Sequence, residues 1–110
     1  MKKFHIAIST NKIELTIDDY NIRLGAKPCC YIPGKYALWH TDCLNVSVRQ
    51  DYSCKCGTLR HLGWEDSSAT ESSEDTDING IVWKRFSTQQ QADEINAIWP
   101  ESGYQPNMMQ

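Results

Sequence analysis

Polar and apolar residues alternate along several short segments of this chain, and a period of two residues is typical of β-strands. In residues 3–9, Phe4, Ile6 and Ile8 share one face of such a strand, whereas His5 lies on the other face. Similar segments predict further strands at residues 30–32, 36–41, 44–50, 58–65 and 81–86. The pattern therefore indicates a sheet that is built from short strands.

A spacing of three to four residues between apolar positions marks two helices. One apolar stripe predicts a helix over residues 12–24. This stripe consists of Ile13, Ile17, Tyr20 and Leu24. A second helix is predicted over residues 90–99, after the N-cap residue Ser87 and before Pro100, which ends it.

The predicted order is β-α-β-β-β followed by a strand, a loop, a strand and a helix. This order indicates an α+β fold with a mostly antiparallel sheet. With 110 residues, of which 40% are hydrophobic and 23% are charged, the chain has the size and composition of one globular domain. We expect the last residues, after the second helix, to be frayed.

Charge is distributed unevenly along the chain. Residues 65–79 carry −6 and contain no Lys or Arg, so the rest of the chain carries +3 of the net −3. Because this segment is almost free of apolar residues, burial cannot offset the entropy of ordering it. We therefore predict a mobile, solvated loop at residues 66–79. The acidic residues do not follow the spacing of an EF-hand calcium loop.

Composition also argues against several classes of protein. A net charge of −3 and a pI of about 5.5 make nucleic-acid binding through phosphate attraction improbable. No apolar run approaches the roughly 20 residues of a membrane span, and the apolar stretch that follows the basic start of the chain is too short for a signal peptide. We expect a cytoplasmic protein without a nucleic-acid or membrane partner.

The five cysteines are Cys29, Cys30, Cys43, Cys54 and Cys56. An odd number without a secretion signal argues against a disulfide framework. The spacing also lacks the two CxxC pairs of a typical zinc site. Most of these thiols are expected to be small buried residues or unreactive loop residues.

Two runs of this sequence resemble the glyoxalase/bleomycin-resistance (vicinal oxygen chelate) superfamily. In the run FHIAISTNKIELTIDDYNIRLGAKP, a strand with His5 is followed by a helix with Tyr20 and by a Leu-Gly-Ala-x-Pro exit at residues 24–28. Further on, LNVSV and GTLRHLG resemble the end of a first module and the start of a second. The resemblance covers residues 3–65 and is nearest to the cadmium-induced and arsenic-resistance branch.

The resemblance implies two β-α-β-β-β modules that pair into one cupped sheet. The chain then forms a single glyoxalase-like domain over residues 1–110, with a first module at 1–57, a shortened second module at 58–101 and a tail at 102–110. A shortened second module leaves a sheet edge and an apolar face uncovered. Because such edges invite pairing with another chain, we expect a homodimer that completes the cup.

The same resemblance implies a site inside the cup. His5 and His61 match the two positions at which the family's first strands supply metal ligands, so a divalent metal ion is the implied cofactor. The family's carboxylate ligand has no clear counterpart, and Glu65 is about 13 Å along the strand from His61. Glu101 or a residue of another chain could complete the ligand set. The expected ligand-binding residues are Asn45, Ser47, Arg49 and Trp39.

The sequence leaves three functions open. The first is a metal-dependent lyase, isomerase or dioxygenase that acts on a small molecule, with Arg49 or Arg60 holding an anionic group. The second is a non-catalytic ligand-binding protein with the same fold, which the missing carboxylate favours. The third is a thiol-based sensor of metals or metalloids, which would use the adjacent pair Cys29 and Cys30 together with Cys54 and Cys56.

Overall fold

A computed structural model describes residues 2–55 and 57–106 of the chain. In these ranges it is an α+β protein, with one open, mixed, seven-stranded sheet, two α-helices and one 3-10 turn. The elements are β1 (Lys2–Thr10), α1 (Ile13–Leu24), β2 (Cys30–Ile32), β3 (Tyr36–His40), β4 (Leu44–Gln50), β5 (Thr58–Asp66), β6 (Ser73–Thr76), β7 (Val82–Phe86), α2 (Thr88–Ile98) and the 3-10 turn Pro100–Ser102. The α+β class is therefore confirmed.

The strands follow the order β2-β3-β4-β1-β5-β7-β6 across the sheet. In each half of the chain the opening strand pairs in parallel with the closing strand, since β1 pairs with β4 and β5 pairs with β7. The remaining pairs are antiparallel. The two opening strands, β1 and β5, lie side by side at the centre, which brings their side chains onto common faces.

The two helices lie on opposite faces of the sheet. Helix α1 packs on β3 and β4, where the apolar core contains Ala37 and Trp39. Helix α2 packs on the other face through Ala92 and Ile95, against Leu38 and its neighbours. The face that we expected a second copy of the chain to cover is therefore covered in part by the chain's own C-terminal helix. The homodimer itself stays a prediction.

The helix boundaries follow from local chemistry. The side chain of Ser87 accepts a hydrogen bond from the backbone N–H of Gln90, and the side chain of Gln90 binds the backbone N–H of Ser87 in return. This capping box confirms the predicted N-cap, although the helix begins at Thr88 rather than at residue 90. Helix α1 ends at Gly25, which has a φ of +65° and donates its backbone N–H to the carbonyl of Asn21.

Two expectations about irregular segments need correction. The acidic segment 66–79 contains the strand β6, whose four residues are all exposed. Backbone pairing with β7, rather than burial, orders this strand, and the composition of the segment gave no sign of it. The predicted frayed tail is anchored by Tyr104, which is 6% exposed and belongs to the core beside α2. The part of that prediction that concerns residues 107–110 lies outside the described residues.

The half of the sheet that contains β5 and β7 lacks a counterpart of α1 among the described residues. On that outer face, the ring of Phe4 contacts the rings of Trp64 and Trp83 at centroid distances of 5.3 and 6.1 Å. Trp64 remains 39% exposed. Neither α1 nor α2, nor any other helix in the described ranges, combines the length and apolar character that crossing a bilayer requires.

Candidate functional site

The imidazoles of His5 and His61 meet on the α2 face of the sheet. Their Nε2 atoms are 2.9 Å apart, and the two residues are only 2% and 8% exposed. The antiparallel register places Ala7 opposite His61 and Gly63 opposite His5, so the two histidines are diagonal neighbours on one face. The predicted meeting of the two side chains is thus present in the structure.

Gly63 allows strands β5 and β7 to lie close together beside the histidine pair. A Cβ atom at this position would lie 2.0 Å from the carbonyl oxygen of Lys84, which is backbone of the neighbouring strand β7. A residue without a side chain is therefore required where β5, β7 and the ring of His5 come together. The alternation of β5 places the side chains of His61 and Glu65 on either side of this gap.

A β-bulge places the positively charged side chain of Arg60 on the same face as the histidine pair. The register between β1 and β5 shifts after Ala7, so that Arg60 has no partner of its own between His61 and Leu59. Strict alternation would direct Arg60 to the opposite face from His61. Because of the bulge, both side chains line the same cavity.

Asn45 connects the histidine pair to a second group of polar side chains. Its side chain is fully buried. Its Nδ2 atom donates to Glu65 Oε1 at 2.7 Å and to Gln91 Oε1 at 2.7 Å, and its Oδ1 atom lies 2.8 Å from His5 Nδ1. Glu65 in turn contacts His40 Nε2 at 2.9 Å. The polar network therefore runs across the four neighbouring strands β3, β4, β1 and β5 and onto α2.

This network fixes the tautomers of both histidines. An ionised Glu65 can only accept hydrogen bonds, so the amide nitrogen of Asn45 must face it and the amide oxygen must face His5. His5 therefore donates from Nδ1. In its neutral form His5 then accepts at Nε2, and His61 donates its Nε2–H to it.

Burial and neighbouring positive charges keep this pair neutral. Burial lowers the pKa of His5, against the raising effect of its bonds to Asn45, and the charge of Lys84 lowers it further. Burial, followed by the charges of His5, Lys84 and Arg60, lowers the pKa of His61 to about 3. The two rings are therefore neutral hydrogen-bonding groups at physiological pH.

A cavity of about 40 Å³, which we call the cationic cavity, opens beside the pair. It is lined by His5, Tyr36, Ser47, Arg49, Arg60, His61, Lys84, Phe86, Gln91, Glu94, Ile95, Ile98 and Trp99. Three of these residues carry a permanent positive charge, and Glu94 is the one carboxylate among them. The Nε atom of Arg49 is buried, and no group in the described part of the chain accepts a hydrogen bond from it.

The residues around the pair do not fit a resident divalent metal with three protein ligands. Two Nε2 atoms 2.9 Å apart are close enough to share one ion at Zn–N distances of about 2.0–2.1 Å. No group of three or more His, Cys, Asp or Glu side chains in residues 2–55 and 57–106 is arranged to hold a metal, however. Lys84 and Arg60, whose positive charges act on His61, would also repel a cation.

The other predicted site residues fall into two groups. Asn45, Ser47 and Arg49 lie on the face of β4 that carries the site, as expected. The expectation that Trp39 binds a ligand is wrong. This residue is fully buried on the α1 face and donates its Nε1–H to Asn21 Oδ1, so it cannot contact a ligand beside the histidines.

Glu101 does not complete a metal site. Its carboxylate binds Lys35 Nζ at 2.9 Å on the exposed surface, away from the histidines. His40 contacts Glu65 Oε1 through its Nε2 atom at 2.9 Å. Cys30 and Cys43 are free thiols, and Cys56 lies outside the described residues.

Several site residues had no signal in the sequence. Lys84 and Gln91 reach the site from the second half of the chain, where nothing in the local pattern marks them as polar groups that face inward. Glu65 was considered only as a partner of His61 along one strand. Its contacts instead run across the strands to Asn45 and His40. Buried polar residues of this kind can be identified only when the pairing register of the strands is known, and the sequence alone does not give that register.

The chain was also compared with known proteins. No protein-family model matches it, and no curated protein matches it.

Proposed function

We propose that this protein is a glyoxalase-like, non-catalytic binding protein that holds a small anionic molecule in the cationic cavity. The binding groups are the side chains of Arg49, Arg60 and Lys84, with Ser47 and the histidine pair at the base of the cavity. The unused Nε–H of Arg49 is the observation that carries this proposal.

The arrangement of strands supports the glyoxalase-like part of the proposal. Each half of the chain pairs its opening strand in parallel with its closing strand, and the two opening strands are neighbours. Each opening strand carries one histidine of the pair. This is the arrangement expected of one complete module followed by a module that, in the described residues, lacks the helix and one strand.

Electrostatics support an anion as the ligand. Burial, followed by the charge of Arg49, lowers the pKa of Arg60, and both guanidinium groups line the same cavity. Lys84 is 3.9 Å from Glu74, at the outer limit of an ion pair, and Glu94 is exposed to solvent. An excess of buried or half-buried positive charge is stabilised most directly by a bound anion.

The size of the cavity limits the ligand. A volume of 40 Å³ holds about three water molecules at 10–15 Å³ each. A small oxyanion or a monocarboxylate fits this space. The aromatic ring of Trp99, with the Arg49 guanidinium 5.2 Å from its centroid, closes one side and shields the charge from water.

Isothermal titration of the whole protein with phosphate, sulfate and acetate, at constant ionic strength set with chloride, tests the proposal. We expect saturable binding of at least one of these anions. Arg60→Gln should weaken it about tenfold, the typical loss of one charged hydrogen bond. Arg49→Lys keeps the charge but removes the buried Nε–H, and should weaken binding about fivefold.

Arg23→Gln is the matched control, because Arg23 is exposed on α1 and pairs with Asp19. It removes one positive charge from the protein without touching the cavity and should change the affinity less than about twofold. Absence of saturable binding of all three anions, or an equal loss in Arg23→Gln, would overturn the proposal.

The same titration, repeated with metal ions, tests the alternative that the protein is a metal-dependent enzyme. The 2.9 Å separation of the two Nε2 atoms is the observation that favours this second candidate. Stoichiometric binding of Zn²⁺ or Ni²⁺ that is lost in His61→Gln would favour a metal site over an anion site. Unchanged anion binding in the presence of these ions supports the anion site.

A second copy of the chain is the partner that we propose. The outer face around Trp64 is the apolar surface on which it would pack, because α1 and α2 lie elsewhere. Light scattering after size exclusion should show a dimer that Trp64→Glu dissociates. A monomer at micromolar concentration would exclude this partner.

A further inference from the structure

A second cluster of reactive groups lies at the other end of the polar network, outside the cationic cavity. Cys29 lies beside the end of β3, close enough to His40 for each side chain to shift the other's pKa, and His40 Nε2 lies 2.9 Å from Glu65 Oε1. A nucleophile, a base and a carboxylate that orients the base thus stand in sequence, the arrangement by which enzymes activate thiols.

The fold holds these three groups firmly. The backbone N–H of Cys29 donates to the carbonyl of Leu38, which fixes the thiol beside the end of β3. Glu65 is 7% exposed and is held in place by the Nδ2 atom of Asn45. Tyr104 approaches from the C-terminal segment, with its hydroxyl 3.6 Å from the sulfur of Cys29.

The electrostatics favour a thiolate at Cys29. Burial raises the pKa of this thiol, but the hydrogen bond and charge of His40, together with the Tyr104 hydroxyl, outweigh burial and lower the pKa. Burial likewise opposes protonation of His40, yet its bonds to Cys29 and Glu65 raise its pKa to about 9. A thiolate at Cys29 and an imidazolium at His40 therefore stabilise each other.

The neighbouring Cys30 offers an internal contrast. Burial, followed by the charge of Cys29, raises the pKa of Cys30 to about 11. Cys30 is 6% exposed, whereas Cys29 is half-buried. Of these two adjacent thiols, Cys29 has a lowered pKa and Cys30 a raised pKa, because only Cys29 lies beside a histidine.

Cys29 is half-buried and borders open space at the protein surface. It lines a surface cleft of about 270 Å³ together with Cys30, Tyr31 and residues 102–105. This volume is large enough for a small organic molecule. The cleft lies at the opposite end of the network from the histidine pair, and none of its lining residues lines the cationic cavity.

We propose that Cys29, His40 and Glu65 form a nucleophilic triad that exchanges disulfides with small disulfide molecules entering this cleft. The Cys29 thiolate attacks one sulfur of the disulfide, the disulfide bond breaks, and a new bond joins that sulfur to Cys29. The other half leaves as a thiolate and takes the proton that His40 received from Cys29. Glu65 stays ionised and holds the imidazole in place.

Alkylation of the reduced, full-length protein by iodoacetamide between pH 6 and pH 8, followed cysteine by cysteine with mass spectrometry, tests the activation. The rate at Cys29 should rise clearly less than tenfold per pH unit, since its lowered pKa leaves more of this thiol ionised than in an ordinary cysteine. The rate at Cys30 and at added N-acetylcysteine should rise about tenfold per pH unit. A tenfold rise per unit at Cys29 would overturn the proposal.

His40→Gln removes the proton acceptor and should restore the tenfold dependence at Cys29. Glu65→Gln is a milder variant that leaves the base in place and should move the Cys29 profile to higher pH. If His40→Gln fails to fold by circular dichroism, the wild-type profile and Glu65→Gln still decide the matter. Wild-type behaviour in both variants would contradict a role for His40.

Hydroxyethyl disulfide is the probe for the exchange itself. We expect one mixed disulfide at Cys29 and one released thiol per chain. At pH 7 the rate should fall about fivefold in His40→Gln, because the loss of thiolate is partly offset by the greater nucleophilicity of a more basic sulfur. Preferential modification of Cys43 or Cys54 would refute the assignment. The result is independent of whether the cationic cavity binds an anion.

Discussion

The histidine pair and His40 are placed alike and behave differently. All three imidazoles lie on the same face of the sheet, on strands β1, β5 and β3. His61 faces Lys84 and Arg60, and its pKa falls to about 3. His40 faces a thiol and a carboxylate, and its pKa rises to about 9.

The difference shows that the partners of a buried imidazole decide its charge. Burial alone lowers the pKa in every one of these histidines. Only His40 has anionic partners, Cys29 and Glu65, that stabilise its protonated form and so offset the cost of removing it from water. The same residue type therefore serves as a neutral hydrogen-bonding group at one end of the network and as a cation at the other.

Gly63→Ala should have the largest effect on this comparison, because it forces β5 and β7 apart. The added Cβ would overlap the Lys84 backbone at 2.0 Å, and backbone cannot rotate away as a side chain can. We expect a loss of about 3 kcal/mol or more in the free energy of unfolding, measured in urea. Gly80→Ala, which meets only the strain of a positive φ, should lose about 1 kcal/mol. Equal losses would contradict this account.

Asn45→Leu should break the link between the two ends of the network. The substitution removes the side-chain bonds of Asn45 to Glu65, Gln91 and His5, and we expect a loss of about 3 kcal/mol in urea denaturation. Ser47→Ala on the same face of β4 is the control and should lose about 1 kcal/mol. NMR titration of Asn45→Leu should also show a changed pKa of His40. A His40 pKa that stays constant would mean that the two ends are uncoupled.

His61→Gln should sharpen the comparison through its pH dependence. A histidine with a lowered pKa binds fewer protons in the folded protein than in the unfolded chain, so wild-type stability falls between pH 6.5 and about pH 3. Between pH 7 and pH 5 this one group accounts for a loss of about 2 kcal/mol, which His61→Gln should remove. The check is urea denaturation of both proteins at the two pH values. Parallel losses in the two proteins would show that His61 is not the titrating group.

The sequence predicts much of the fold because its strands and helices carry strong local patterns. Alternation in β1 and β4 and the apolar stripe of α1 place these elements within one or two residues of their observed bounds. The meeting of His5 and His61 was expected from the family resemblance, through its two neighbouring opening strands. Ordinary pairing of β1 with β5 produces it.

The missed features depend on contacts between distant segments. Arg60 joins the site through a bulge, which alternation alone cannot reveal. Trp39 was assigned to the wrong face, because β3 is buried on both faces and its residues carry no polar-apolar contrast. The strand β6 is ordered by its hydrogen bonds to β7, and its four exposed residues resemble a loop in composition.

The position of β6 at the margin of the sheet has a consequence for how the chains behave at high concentration. The exposed edge of a sheet is a template to which strands of other molecules can add, so that a fibre can grow. Here the margin carries Glu74 and Asp75, while the opposite margin, β2, is only three residues long. Like charges on two approaching molecules repel each other, so this acidic edge keeps neighbouring molecules from extending the sheet.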